Sequence, residues 1–262
     1  MRQLLQGFKD FAIAHGMEGW TRPIWNRMVG KEVDLDHDWT CALIRRYLHV
    51  DSVCVDVGCH KGLILDVMID QCPLGRFHAF EPIPTLAALL RSKYRRQAKV
   101  SVHELALASE AGLVDFFVDV DVLGRSGLRD TSDDREIHKT LKCLVQQVAM
   151  DSVVPIAQVD FVKIDVEGAE LGVLQGASEI YGKHTPLTVF EHTKFGACHF
   201  QTKPHEIFQF FSKYDMTVST LSALLSDKRG FTESEFVSAF YNGTYANFVA
   251  YHPKRLGSAG NL

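Results

Sequence analysis

Apolar positions along the chain fall into two recurring patterns. Short unbroken runs of four to six residues alternate with longer stretches in which apolar residues recur every three or four positions. Unbroken runs belong to strands buried on both faces, and the spaced stretches belong to amphipathic helices. The run Val53-Cys54-Val55-Asp56-Val57 is followed by Gly58 and Gly62 and then by Leu63-Ile64-Leu65. It predicts a parallel strand, a tight turn and a helix over 63–69 that ends near Cys72-Pro73-Leu74-Gly75. Residues 76–82 predict a second strand closing on Glu81-Pro82, with a helix from Pro84 to Tyr94 after it. Arg91, Lys93, Arg95 and Arg96 near the end of that helix oppose its dipole on a solvated face. A third strand is expected over 100–108, and two further strands over 112–118 and 144–150. The run 159–165 predicts a fourth parallel strand, and residues 186–192 a fifth. A helix through 207–211, a strand over 216–220, a loop and a last strand over 247–251 complete the pattern. Residues 1–50 read as a helical cap, with Asp38 expected to cap its third helix. Residues 51–256 read as one α/β domain and 257–262 as a tail. The proportions suit such a domain: 262 residues, 46% hydrophobic and 23% charged.

The chemistry concentrates at the predicted strand ends, where α/β folds bind ligands. At the first turn Gly58 is expected to supply a backbone angle that other residues resist. Gly62 is expected to let a ligand or a neighbouring strand come close. The dinucleotide fingerprint G-x-G-x-x-G is absent, and a pyrophosphate would be repelled by Asp56. Asp56 suits instead a ligand with a cationic amine or sulfonium whose own carboxylate meets the helix N-terminus, a charge distribution that S-adenosylmethionine has. The same turn also fits a strand-to-helix connection with no ligand. Glu81 lies 19 residues beyond Gly62, near the ~20-residue offset at which an acid meets ribose hydroxyls. The end of the third strand, His103-Glu104-Leu105-Ala106, would reach an adenine, so Glu104 and Leu105, with Asp165 at the end of the fourth strand, join Asp56, Gly58, Gly62 and Glu81 as candidate cofactor contacts. In the fourth strand Lys163 and Asp165 share one face, and a mid-strand lysine needs a carboxylate partner. The fifth strand ends in Glu191 and His192, on opposite faces. The run 124–130 reads as a loop over the cavity.

A net charge of -4 gives no basic footprint, so no nucleic-acid partner is expected. No run approaches the ~18 apolar residues of a membrane span. The first ten residues are too polar for a secretory signal, and the six cysteines include no C-x-x-C pair. Cys54 is expected to be a small core residue, and a reducing cytoplasm is the expected compartment. His192, Cys198, His199 and His205 match no standard zinc spacing, and no residue is assigned as a metal ligand.

With these residues placed, the chain resembles the FkbM family of S-adenosylmethionine-dependent methyltransferases over most of its length. The likeness rests on Asp56-Val57-Gly58 with Gly62, Phe80-Glu81-Pro82-Ile83-Pro84, Leu105-Ala106-Leu107, Ser126-Gly127-Leu128 and Asp151. It continues through the long run from Val159 to Glu170, Leu174-Gln175-Gly176 and Phe190-Glu191. It departs from the family at Cys59 and His60, where alanine and asparagine are common. The resemblance implies a class I methyltransferase (Rossmann-like) fold. That fold has a mostly parallel seven-stranded sheet with one antiparallel strand near its edge and helices on both faces. It also implies methyl transfer, usually to an oxygen of a sugar, polyketide or other small metabolite.

Methyl transfer asks the protein mainly for proximity and removal of the acceptor proton. Asp165 is the first candidate base and His192 the second, with Glu191 and Glu167 orienting the acceptor or pairing with Lys163. In a variant of this reading, Asp165 with Glu167 or Glu191 holds a divalent cation that acidifies the hydroxyl. Two alternatives remain at this level: a nicotinamide-dependent oxidoreductase, and a catalytically degenerate partner protein on the same fold.

Overall fold

The computed structural model describes residues 35–119, 126–128, 140–155 and 157–256. The helices expected before residue 35, the tail from 257 and most of the loop over 124–130 lie outside them. The described part begins with α1 (Leu35–Tyr47) and continues with β1 (Val53–Val57), α2 (Leu63–Gln71), β2 (Arg76–Phe80), α3 (Pro84–Lys93) and β3 (Val100–His103). A short β4 (Ala106–Leu107) and the hairpin β5 (Gly112–Asp119) and β6 (Thr140–Val148) follow. Next come β7 (Phe161–Ile164), α4 (Glu170–Gln175), α5 (Ser178–His184), β8 (Leu187–Glu191), α6 (Lys194–Phe200) and α7 (Pro204–Ser212). The last elements are β9 (Thr217–Ser219), α8 (Leu221–Leu225), α9 (Glu233–Asn242), β10 (Asn247–Tyr251) and α10 (Pro253–Leu256).

Seven strands form one sheet in the order β3-β2-β1-β7-β8-β10-β9. Pairing is parallel from β3 to β8, and β10 is antiparallel to both β8 and β9. This is the class I methyltransferase sheet that the resemblance implies. Alternation along each strand sends side chains to two cores. Val55, Val57, Val162, Ile164, Phe190 and Phe248 pack under α4, α5, α7 and α9. Cys54, Phe161, Leu187, Val189 and Val249 pack under α1, α2 and α8. Leu35, Trp39, Leu43, Ile44 and Leu48 belong to the second of these cores, so α1 is built into the domain.

Four expectations change. The stretch 100–108 is not one strand: β3 ends at His103 in the large sheet, and β4 joins β6 and β5 in a separate three-stranded sheet. Alternation alone does not say which sheet a strand joins. The loop expected between 220 and 247 holds α8 and α9, and α5 and α6 were also not anticipated. Asp38 is exposed inside the first turn of α1, which begins at Leu35, so it does not cap the helix from outside. Gly58 has the backbone angle expected of it, φ +75°, but Gly62 differs from expectation because it too has a positive φ, +73°. A Cβ on Gly58 would collide with the carbonyl oxygen of Asp165, and one on Gly62 with the Tyr94 hydroxyl. The close neighbour-strand approach therefore belongs to Gly58, and Gly62 makes room for α3.

Candidate functional site

A cavity of about 350 Å³ opens at the C-terminal ends of β1, β2 and β7. The strand order runs outward from β1 in both directions, and such a switch point leaves a crevice between the two halves. The turn after β1 forms its floor: Gly58 and Cys59 donate their backbone N–H groups to the Phe80 carbonyl at 3.0 and 3.1 Å. His60 follows with φ +51°. Histidine, like asparagine, enters this left-handed region more readily than most residues, so the departure from the family's usual asparagine keeps the turn. Its ring lines the cavity, and its Nε2 is buried without a hydrogen-bond partner.

Two acids face this floor. Asp56 is 1% exposed. Burial raises its pKa against the pull of Lys163 and a hydrogen bond from the Cys59 thiol. Its Oδ1 is buried with no hydrogen-bond partner, and Lys163 Nζ stands 3.9 Å away. A carboxylate oxygen so placed is an acceptor aimed at a missing donor. Glu81 is 4% exposed; Oε2 accepts from the His60 N–H at 2.8 Å and Oε1 from the Ile83 N–H at 2.9 Å. Burial raises its pKa, and these two bonds oppose that. Each oxygen keeps a second lone pair for a ligand. Leu105, Leu107, Phe116 and Leu128 supply an apolar wall beside Glu81.

Along the other half of the cavity runs a polar strip. Asp56 on β1 is in register with Lys163 on β7. Lys163 Nζ sits 3.1 Å from Asp165 Oδ2, which supplies the carboxylate partner expected for a mid-strand lysine. Burial disfavours the ammonium, but Asp165 and Asp56 outweigh it and raise its pKa. Glu191 lies beside Asp165 and is pushed up to about 9, first by burial and then by Asp165, Glu167 and Glu170. Asp165, Glu167 and Glu191 each offer an oxygen within 4.8 Å of the others. An all-oxygen set suits a hard divalent cation, but Lys163 already neutralises part of it.

The structure does not bring every candidate together. His192 is fully buried on the opposite face, its ring stacked 4.6 Å from Phe240 and its Nδ1 3.9 Å from Glu170 Oε2. The alternation of β8 that carries Glu191 toward Asp165 carries His192 away, so the second candidate base is removed from the site. Glu104 turns outward to Arg91 at 2.8 Å, leaving Leu105 as the cavity contact from that segment. Gly62 shapes the turn without lining the cavity. Conversely, Asp36, His37 and Thr40 of α1 and Asn247 of β10 line the cavity. No local signal marked them, since each stands in an ordinary helix turn or strand start.

The methyltransferase FkbM domain model matches residues 56–217. No curated protein matches the sequence. The fold is similar to that of a methyltransferase FkbM from Methylobacillus flagellatus KT, with TM-score 0.50 and 15% identity over 78% of this chain. This chain spans 44% of that protein's length. A geranyl diphosphate methyltransferase in complex with S-adenosylmethionine aligns at TM-score 0.47 and 11% identity, covering 86% of this chain and 88% of its own. A fragment described as StiE O-MT aligns at TM-score 0.44 and 11% identity, covering 93% and 85%. The buried carboxylate at the end of β1, the acid at the end of β2 and a family match across most of the sheet lead to one assignment: the chain belongs to the FkbM methyltransferase family.

Proposed function

We propose that this protein is an S-adenosylmethionine-dependent O-methyltransferase acting on a hydroxyl of a small metabolite. The observation that carries the cofactor reading is the buried Oδ1 of Asp56, a residue lining the cavity beside the Gly58 turn, which accepts no hydrogen bond. That atom fits an ammonium or sulfonium group, and the residues present fit the rest of the cofactor. Asp56 and the backbone of the 58–60 turn would hold its amino-acid end, Glu81 its ribose hydroxyls, and Leu105 with the apolar wall its adenine. When bound, the cofactor supplies a methyl group already activated on positive sulfur.

The chain's own residues then have three tasks. The walls align the acceptor oxygen and exclude water. Asp165 receives the hydroxyl proton as the oxygen gains its methyl group. Lys163, 3.1 Å from Asp165, fixes the orientation of that carboxylate, and Glu191 beside it holds a proton at neutral pH. Glu167 completes the acidic wall on the acceptor side.

Calorimetric titration with S-adenosylmethionine, S-adenosylhomocysteine and NAD tests the cofactor reading. One-site binding of the first two without NAD is the expected result, and binding of NAD alone would overturn it. Asp56→Ala and Glu81→Ala should each weaken cofactor binding, whereas Asp165→Ala should reduce turnover more than binding. Unchanged affinity in both of the first two variants would remove the site assignment.

A further inference from the structure

Glu170 opens α4 as a buried acid, 1% exposed. Its Oε1 accepts from the Gly168 N–H at 2.8 Å. Its Oε2 accepts no hydrogen bond, and His192 Nδ1 stands 3.9 Å from it. Burying a carboxylate is costly, and one left half satisfied in the core asks for a function. The single firm contact of this acid is with the turn that follows β7.

That turn carries the acidic strip. Between β7 and α4 the chain passes through Glu167 at φ +55° and Gly168 at φ +106°. Asp165, Val166 and Glu167 all line the cavity. Glutamate enters the left-handed region far less readily than glycine, and a residue persists there only where its surroundings hold it. The turn's own closing bond, from the Ala169 N–H to the Val166 carbonyl, is long at 3.4 Å. The Gly168 backbone also lies directly against Gly196 of α6, where a Cβ on Gly168 would collide with the Gly196 carbonyl oxygen. Gly168 is thus fixed by Glu170 through its N–H and by α6 through its backbone. We infer that Glu170 is a positioning residue: through the Gly168 N–H it holds the 165–168 turn in the conformation that sets Asp165 and Glu167 along the cavity. The hydrogen bond does the holding, since 3.9 Å to His192 is too long for a second one. A reacting group misplaced by about 1 Å can lose ~10²-fold in rate. This inference rests on the methyltransferase reading above.

The test compares Glu170→Gln with Glu170→Met in the full chain. Both remove the charge, but glutamine keeps an oxygen for Gly168, whereas methionine keeps only the length. Transfer is read as label passing from methyl-labelled S-adenosylmethionine to a small-molecule extract of the source organism. Glu170→Gln is expected within about threefold of the unaltered chain, and Glu170→Met about tenfold or more below it. S-adenosylhomocysteine affinity should hold in both variants, and Glu170→Met should stay folded because an apolar chain replaces a buried charge. Hydrogen exchange at the Gly168 amide, read by NMR, should quicken in Glu170→Met and stay slow in Glu170→Gln. Undiminished transfer by Glu170→Met, or a loss as deep in Glu170→Gln, would overturn the inference. So would a fall in S-adenosylhomocysteine affinity that matches the fall in transfer, the mark of a merely structural role. Should Glu170→Met fail to fold, Glu170→Gln decides: retained transfer with slow Gly168 exchange supports the inference, and fast exchange overturns it. An unaltered chain that binds no S-adenosylhomocysteine or transfers no label would instead mark failure of the methyltransferase reading, and the inference would fall with it.

Discussion

Glu191 and Asp165 show how burial divides roles among like side chains. An ordinary glutamate titrates near 4.5, and Glu191 is pushed up to about 9 by burial and by the acids around it. Between those values the folded chain holds a proton that the unfolded chain releases. Stability from this group is therefore greatest at low pH and falls as pH rises through the window. Glu191→Gln should flatten the decline in melting temperature between about pH 5 and pH 9 by a few degrees; an unchanged slope would remove Glu191 as its source. Gly58 is a second residue-scale constraint. Its φ of +75° and the Asp165 carbonyl beside it leave no room for a methyl group. Gly58→Ala should cost about 2 kcal/mol or more and weaken S-adenosylhomocysteine binding, measured by denaturation and calorimetry.

Among the elements, α1 was expected as a helix but not as part of the cavity wall, and α9 was not anticipated at all. Leu43 of α1 is fully buried in the core under the sheet, so Leu43→Ala should cost roughly 2–5 kcal/mol in denaturant unfolding. The start of α9 carries a local signal that the expectation of a loop passed over. Thr232 accepts from the Glu235 N–H, and Glu235 reaches back to the Thr232 N–H, a capping box written plainly in the sequence. What could not be read was where α9 lies: its Phe236 and Phe240 stack on His192 and hold that ring on the face away from the cavity. His192→Phe should accordingly leave turnover within about twofold while altering stability. A large loss of turnover with cofactor binding intact would restore His192 to the reaction.

For the whole molecule, the site lies where two halves of one sheet meet, and ligand binding should reinforce that junction. S-adenosylhomocysteine at about 100 times its dissociation constant adds roughly 2.7 kcal/mol of stability, which for a chain of this size raises the melting temperature by about 5–11 °C. NAD at the same concentration should leave it unchanged. A shift with NAD and none with S-adenosylhomocysteine would contradict the assignment of Asp56.

The sequence by itself determined the strands of the parallel core, the glycine turn after β1, and the standing of the acids Asp56, Glu81, Asp165 and Glu191 at or beside strand ends. These follow from local rules: side-chain alternation, the conformational freedom of glycine, and the placing of ligands at the C-terminal ends of parallel strands. The pairing of Lys163 was equally readable, because a lysine inside a buried strand requires a carboxylate. Only the tertiary structure decided that β4–β6 form a second sheet, that His192 lies beneath α9, and that Asp36 meets Asn247 across 211 residues of chain. Those contacts depend on strand order and on how helices pack across the sheet. Local periodicity carries no record of either.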